Sequence, residues 1–361
     1  MTLEIIEFIH NDPDWEATLA GSPYFIKTKR DGSFVLLKYD QIQSDFNLPL
    51  VRECRGIILD ESDSYRPVCV PFFKFGNYGE SYVPNIDWTT ACVQEKLDGS
   101  LIKLWHYQGK WRVSSNGEID ARNAHVSSAL LIGATMTDLY ALFEEAWQKT
   151  GVDMERLHPD YTYMFELTSP HNRVVVRFSE TTVRHIGTRD NGTLLECDLD
   201  IGIPKPRSFE LRTIDACIES AKLLGYDDEG YVIVDGDFNR IKIKSPLYVS
   251  LNHMVQGVAS HSSVVEIIRM NEQDEFLTYF PEYRDVFDDV LARIDAFCAK
   301  QESAMAEISS KTFETRKDLA AVVTKQECPG CLFSLIDGKA PSARDWLFSC
   351  PASKRLGHLG L

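Results

Sequence analysis

Residues 92–107 read CVQEKLDGSLIKLWHY. Two short runs rich in β-branched and aromatic residues flank the hexapeptide EKLDGS, Glu95–Ser100. Val93 precedes it, Leu97 lies inside it, and Leu101, Ile102 and Leu104 follow. The pattern therefore predicts that Lys96 emerges from a buried strand and that the chain turns at Gly99 back into the sheet. A lysine in such a place is a potential nucleophile once neutral, and both partial burial and neighbouring cations favour the neutral form. The same Lys-x-Asp-Gly-Ser pattern occurs once more, as KRDGS at Lys29–Ser33. That copy joins YFIKTK to FVLLKY and crowds Lys27, Lys29, Arg30 and Asp31 at a turn, which reads as a solvated β-hairpin whose glycine supplies a positive φ.

Outward from this stretch, β-like runs extend from about Tyr24 to Ser250: GIILD, WRVSS, YTYMFEL, RVVVRF, GYVIVD and RIKIK, each broken by Gly, Asp or Asn turns. Two segments with helical apolar spacing interrupt them, SSALLIGATMTDLYALFEEAWQKT and TIDACIESAKLLG. After PLYVSLNH the β runs stop. SSVVEIIRMNE, EYRDVFDDVLARIDAFCAKQESAMAEISSK and RKDLAAVVTK are helical by period, the second with Val286, Val290, Ile294, Phe297 and Cys298 along one face. The expected fold is α+β. An N-terminal domain of antiparallel sheets and flanking helices occupies residues 1–250, and a smaller all-α domain occupies residues 251–361.

The bulk numbers narrow the function. A chain of 361 residues with formal charge −16 does not coat nucleic acid nonspecifically, since that requires a basic face, although a local basic groove remains open. No apolar run approaches the roughly 18 residues that span a bilayer, and the acidic start MTLEIIEFIHNDPDWE is unlike a secretory leader, so the expected location is the cytoplasm, or a host's cytoplasm for a viral protein. Nine scattered cysteines suit a reducing compartment, with Cys54, Cys69, Cys92, Cys197, Cys217 and Cys298 read as buried thiols. Cys328 and Cys331, in CPGC, with Cys350 and His358 would be the ligands of a zinc ion; a single Cys-x-x-C pair with distant partners favours structural thiols instead.

The order of other segments gives Lys96 its context. Upstream lie RECRGIILDE and PFFKFGNYGE; downstream come MFELTSPHNRVVV, DEGYVIVDG and RIKIKSPLYVSL. In RIKIK the period-two alternation sets Lys242 and Lys244 on one face and Ile241 and Ile243 on the other. Through these segments, from Arg52 to Leu251, the sequence resembles the RNA ligase 1 family: phage-type, ATP-dependent RNA end-joining enzymes of the covalent nucleotidyltransferase superfamily.

The resemblance implies three transfers. Lys96 attacks the α-phosphate of ATP and keeps AMP; AMP moves to the 5′-phosphate of an RNA; an RNA 3′-OH then displaces AMP. It further implies that Arg55 grips the ribose and the RNA end, that Lys74 contacts the triphosphate, and that Lys242 and Lys244 meet the α-phosphate and depress the pKa of Lys96. Asp98 would orient a metal or the leaving group, and Gly99 would let the backbone approach the nucleotide. Glu166 would read ribose hydroxyls or hold a metal, and Glu229 would bind a metal or water, the ion being magnesium or manganese. Two departures stand out. Gly76 occupies a position where relatives often carry a second aromatic, which leaves Phe75 for base stacking. Asn116 precedes Gly117 where a basic residue is common, so either the asparagine donates in its place or Arg112 or Arg122 supplies the charge. Arg173 and Arg177 would touch RNA phosphates. The family's helical C-terminal domain helps choose the RNA, often a cleaved tRNA anticodon loop, but no residue after Leu251 matches a motif. Two other readings compete: a DNA ligase or capping guanylyltransferase, against which the helical tail without an evident oligonucleotide-binding barrel argues, and a noncatalytic nucleic-acid binding module, against which the intact residue set argues.

Overall fold

The computed structural model describes residues 3–126, 137–258, 261–271 and 273–361. The chain divides into two compact units, Met1–Asn252 and His253–Leu361.

In chain order the strands of the first unit begin with β1 (Ile26–Asp31), β2 (Phe34–Tyr39), β3 (Arg55–Asp60), β4 (Arg66–Cys69), β5 (Cys92–Glu95), β6 (Ser100–Tyr107) and β7 (Lys110–Ser115). They continue with β8 (His125–Val126), β9 (Thr137–Asp138), β10 (Tyr161–Thr168), β11 (Thr182–Asp190), β12 (Glu196–Cys197), β13 (Ser208–Phe209), β14 (Gly230–Val234) and β15 (Arg240–Lys244). Three antiparallel sheets result, ordered β1-β2-β3-β4, β12-β11-β10-β6-β7 and β13-β5-β14-β15, with β8 and β9 paired separately. Lys96 and Gly99 therefore sit where the chain leaves the third sheet at β5 and enters the second at β6.

Each sheet is closed by helices whose apolar side faces it. Leu3, Ile5, Ile9, Trp15 and Leu19, from the helices Glu4–Asn11 and Trp15–Ala20 and the residue before them, pack on Val35, Leu37, Ile57 and Leu59. The carboxylate of Glu53 accepts the first free N–H groups of that chain end, from Glu4 at 3.1 Å and Ile5 at 2.9 Å. Leu142, Phe143, Ala146 and Trp147 of the helix Leu139–Thr150 cover Ile102, Leu104, Phe165 and Leu167 of the second sheet. Burial of side chains of this size contributes about 1.5–3 kcal/mol each. Asp138 starts that helix by accepting from the N–H of Ala141 at 2.8 Å. The N-terminal part of the helical segment read from the sequence, residues 127–136, lies outside the described residues.

The KRDGS copy is the expected hairpin. Asp31 pairs with Phe34, leaving Gly32 and Ser33 as the loop with Gly32 at φ +58°. Lys29 is half-exposed there and ion-paired with Glu118. The run RVVVRF, in contrast, is not a strand: residues 173–178 form an irregular loop whose Val175 and Val176 N–H groups turn inward to Asp98. β11, TVRHIGTRD, takes the ladder position beside β10 instead.

The second unit is helical over its described residues: His261–Met270, Gln273–Tyr279, Arg284–Ser309, Arg316–Val323, Pro329–Ile336, Ala343–Ser349 and Ala352–Leu359. The long helix Arg284–Ser309 buries Phe287, Val290, Ile294 and Phe297; Val286 and Cys298, expected on that face, are only partly covered. All nine cysteines are free thiols, and Cys92, Cys197 and Cys298 are half-buried where full burial was expected.

One irregularity shapes the first sheet. Leu37 pairs with Ile57 but Lys38 pairs with Arg55, so Gly56 is an extra residue on β3, a β-bulge. Its φ is +75°, and a Cβ on it would lie 2.5 Å from the carbonyl oxygen of Asn116. Gly56→Ala should therefore destabilise the protein by about 2 kcal/mol, against about 1 kcal/mol for Gly32→Ala, whose added Cβ meets nothing. Urea unfolding of the two variants measures the difference, and equal losses would contradict the role given to the bulge.

Candidate active site

A cavity of about 600 Å³ opens beside the strand junction, lined by Lys96, Gly99, Arg55, Phe75 and Glu166 among others. Lys96 projects from the end of β5, its backbone N–H donating to the Gly230 carbonyl at 2.8 Å. Its ammonium donates to Glu229 Oε2 at 2.7 Å, and Lys244 approaches the other oxygen, Oε1, at 3.0 Å. Glu229 is only 4% exposed at its side chain, so one buried carboxylate is held between two lysines. Lys242 and Lys244 alternate on β15 as the sequence indicates, with Ile241 and Ile243 in the core of the third sheet.

The remaining cations gather around this pair. Burial, with Arg55, Lys244 and Lys96 nearby, pushes Lys74 down to about 8. Burial, with Lys74, Lys96, Lys244 and Arg55 nearby, pushes Lys242 down to about 7. Lys96 goes the other way. Burial is the largest influence and would lower it, but Glu229, Glu166 and Asp98 together outweigh burial, so its pKa lies above the ordinary lysine value. The expectation that cationic neighbours depress Lys96 is corrected on this point, because the nearest charges are carboxylates. Glu166 is pushed up to about 7, chiefly by burial.

Asp98 and Gly99 serve the scaffold. Asp98 Oδ2 accepts the N–H groups of Val175 and Val176, both at 2.7 Å, and Oδ1 accepts the Tyr248 hydroxyl at 2.8 Å. With both oxygens engaged inside the fold, it ties the 173–178 loop and the helix Pro246–Val258 to the turn that carries Lys96. The close approach at Gly99 is to the protein itself: a Cβ there would lie 2.4 Å from the Leu167 carbonyl oxygen, and its N–H donates to Glu166 Oε1 at 3.1 Å.

Arg55 lies with its guanidinium 4.4 Å from the centre of the Phe72 ring and 5.3 Å from that of Phe75, and its buried Nη1 has no hydrogen-bond partner. Phe75 lines the cavity, and its ring packs at 5.6 Å from Phe72. A side chain at Gly76 would meet Glu80 Oε2 at 2.5 Å, so this fold has no room for a second aromatic there. Lys74 sits over the rings of Phe46, at 4.6 Å, and Tyr39, at 5.3 Å. Neither Arg112 nor Arg122 lines the cavity: Arg112 stacks on Phe34 at 4.9 Å and Arg122 on Tyr140 at 3.5 Å. Arg173 donates to the carbonyl of Val175 in its own loop at 2.8 Å.

Two lysines and a tyrosine of this site were not singled out from the sequence. Lys103 is wholly buried and donates to the Gly56 carbonyl. Lys38 lines the cavity from β2. Both are lone charges in otherwise apolar strands, LIKLWHY and FVLLKY, which is the signal that could have marked them. Tyr248 closes the hydrogen bonds of Asp98. Among the described residues no group of three or more His, Cys, Asp or Glu is arranged to hold a metal ion, at Cys328 and Cys331 or elsewhere, and no helix is long and apolar enough to cross a membrane.

No family model matches the chain. It is 31% identical over 276 residues to a protein of Autographa californica nuclear polyhedrosis virus provisionally named a bifunctional polynucleotide kinase/RNA ligase, an alignment that covers 72% of this chain and 39% of the viral one. It is 24% identical over 314 residues to the RNA ligase of Rhodothermus phage RM378, covering 70% of this chain and 71% of the phage protein. Among solved structures, an archaeal ATP-dependent RNA ligase superposes with TM-score 0.47 at 14% identity, over 82% of this chain and 83% of that one. The chain belongs to the phage-type RNA ligase family, and it spans about two fifths of the length of its viral relative.

Two outcomes follow from the geometry. Asp98→Ala removes the acceptor of two buried N–H groups and a hydroxyl and should cost about 2–4 kcal/mol of stability in chemical unfolding; a loss below about 1 kcal/mol would contradict the structural role of these contacts. Lys242 and Lys74 carry charge below about 7 and 8 and lose it as pH rises. Pyrophosphate, measured by calorimetry, should therefore bind more weakly at about pH 9 than at about pH 6, with the loss falling across pH 7–8 and flattened by Lys242→Met.

Proposed function

We propose that this chain is an ATP-dependent RNA ligase that joins RNA 5′-phosphate and 3′-OH ends through lysyl-AMP on Lys96 and an RNA-adenylate intermediate. The observation that carries the reading is Lys96 held on Glu229 at the wall of a cavity that also presents Arg55 and Glu166, with Lys74, Lys242 and Lys244 electrostatically coupled to it. Phosphoryl chemistry asks for positioning and charge neutralisation, and that set supplies both. In the first transfer the Lys96 nitrogen bonds to the α-phosphorus while the α–β phosphoanhydride bond breaks and pyrophosphate leaves. The proton Lys96 must lose has an acceptor in Glu229 Oε2, 2.7 Å away. Lys244 keeps that carboxylate in place, and Lys242 and Lys74 offset the charge of the departing phosphates.

Magnesium or manganese fits this donor set in part. Glu166 Oε2 has no partner among the described residues, whereas both oxygens of Glu229 are occupied by lysines. A divalent ion would be held by Glu166 and by the phosphates of its own nucleotide, where it would neutralise phosphate charge. In this reading residues 1–250 form the adenylyltransferase domain and residues 251–361 help select the RNA, cleaved tRNA among the candidates, in the cytoplasm of a cell or host.

Incubated with ATP and magnesium, the protein should seal a nicked or single-stranded RNA bearing a 5′-phosphate and a 3′-OH. Lys96→Ala should lower sealing by about 10³-fold or more, while Lys29→Ala stays within about twofold. Equal sealing of DNA strands would favour a DNA ligase, and no sealing of either would contradict the proposal.

A further inference from the structure

Lys38 stands out among the cavity's residues. The bulge at Gly56 shifts the β2–β3 register so that Lys38 lies directly opposite Arg55, and both reach the same cavity. Like charges directly opposite on neighbouring strands repel, so such a pair is destabilising unless an anion sits between them. The fold balances these charges only in part: Glu166 attracts Arg55, and Glu118 and Asp40 attract Lys38. Lys38 has no ion pair within 4.0 Å among the described residues, and its nearby acid, Glu118, is bound to Lys29. Arg55 keeps a buried, unpartnered Nη1. The ammonium of Lys38 reaches across Gly117, 3.2 Å from where a Cβ would be, and the buried Oδ1 of Asn116, which faces Gly56, has no hydrogen-bond partner. The bulge itself is secured by Lys103, buried without a carboxylate partner and donating to the Gly56 carbonyl.

Lys38 reaches the cavity from β2 of the first sheet, whereas Lys96 follows β5 of the third sheet, which also carries Lys242 and Lys244 on β15. Arg55, on β3, lies between the two groups, and its charge also lowers the pKa of Lys74 and Lys242. We propose that Lys38, seated opposite Arg55 by the Gly56 bulge, forms a second anion site that holds the terminal 5′-phosphate of the RNA acceptor. The assignment rests on the ligase reading above. It also gives this chain the cation that Asn116 lacks, supplied from another sheet.

The test separates the two. With the full chain, the rate of AMP transfer from pre-adenylated protein to a 5′-phosphate RNA is divided by the rate of self-adenylation with ATP. In parallel, the affinity for 5′-phosphate and 5′-hydroxyl RNA of one sequence is read by fluorescence anisotropy. Lys38→Gln should lower the transfer-to-adenylation ratio about tenfold or more, chiefly through KM for the phosphorylated strand, and should remove the preference for 5′-phosphate; Lys38→Arg should restore both. An unchanged ratio, or adenylation falling in parallel with transfer, would overturn the role of Lys38. Failure of the unmodified protein to adenylate at all would overturn the ligase reading, while loss of its 5′-phosphate preference in Lys38→Gln would still support the anion site.

Discussion

The contact on which the site depends is the buried carboxylate of Glu229 shared by Lys96 and Lys244. A carboxylate this deep is tolerated only with its charge balanced, and removal of either lysine leaves an uncompensated charge in the interior. Three backbone elements converge to make the arrangement possible. Lys96 follows β5, Glu229 precedes β14, and Lys244 ends β15, and the antiparallel ladder of the third sheet brings these ends together. The fold therefore holds Lys96 as an ammonium ion in contact with the Glu229 carboxylate.

Around that pair the site is built in two parts with different electrostatics. One part is rich in lysines whose charges disfavour one another, which suits a polyanion that restores their protons on binding. The other is the β2–β3 pair, where the Gly56 bulge and the Asn116–Gly117 turn pack against each other at a distance that admits no side chain on Gly56. By accepting from the 173–178 loop and from Tyr248, Asp98 fixes the turn that carries Lys96.

Much of this was legible in the sequence. β-branched and aromatic composition between turn residues marked β6, β10 and β14, period-two alternation gave the two faces of β15, and the context of the two Lys-x-Asp-Gly-Ser copies separated a charged hairpin at Lys29 from a cavity lysine at Lys96. What escaped the sequence depends on contacts between distant residues. RVVVRF has strand composition, but its N–H groups go to Asp98, some 75 residues earlier in the chain. β11 is polar and was passed over, because its place is set by pairing with β10. Lys38 could not be joined to the site, since its face depends on one extra residue in the partner strand. The net direction of the Lys96 pKa depended on which charges lay nearest, and only the folded chain places Glu229 closer than the lysines.

The central claim is that Lys96 is the atom-level nucleophile, and the most direct measurement is mass-spectrometric localisation of the adenylyl group after incubation with ATP and a divalent cation. The account predicts a single AMP, joined through a phosphoramidate to Lys96. AMP on Lys29 or on any other lysine, or a protein that carries none, would contradict it.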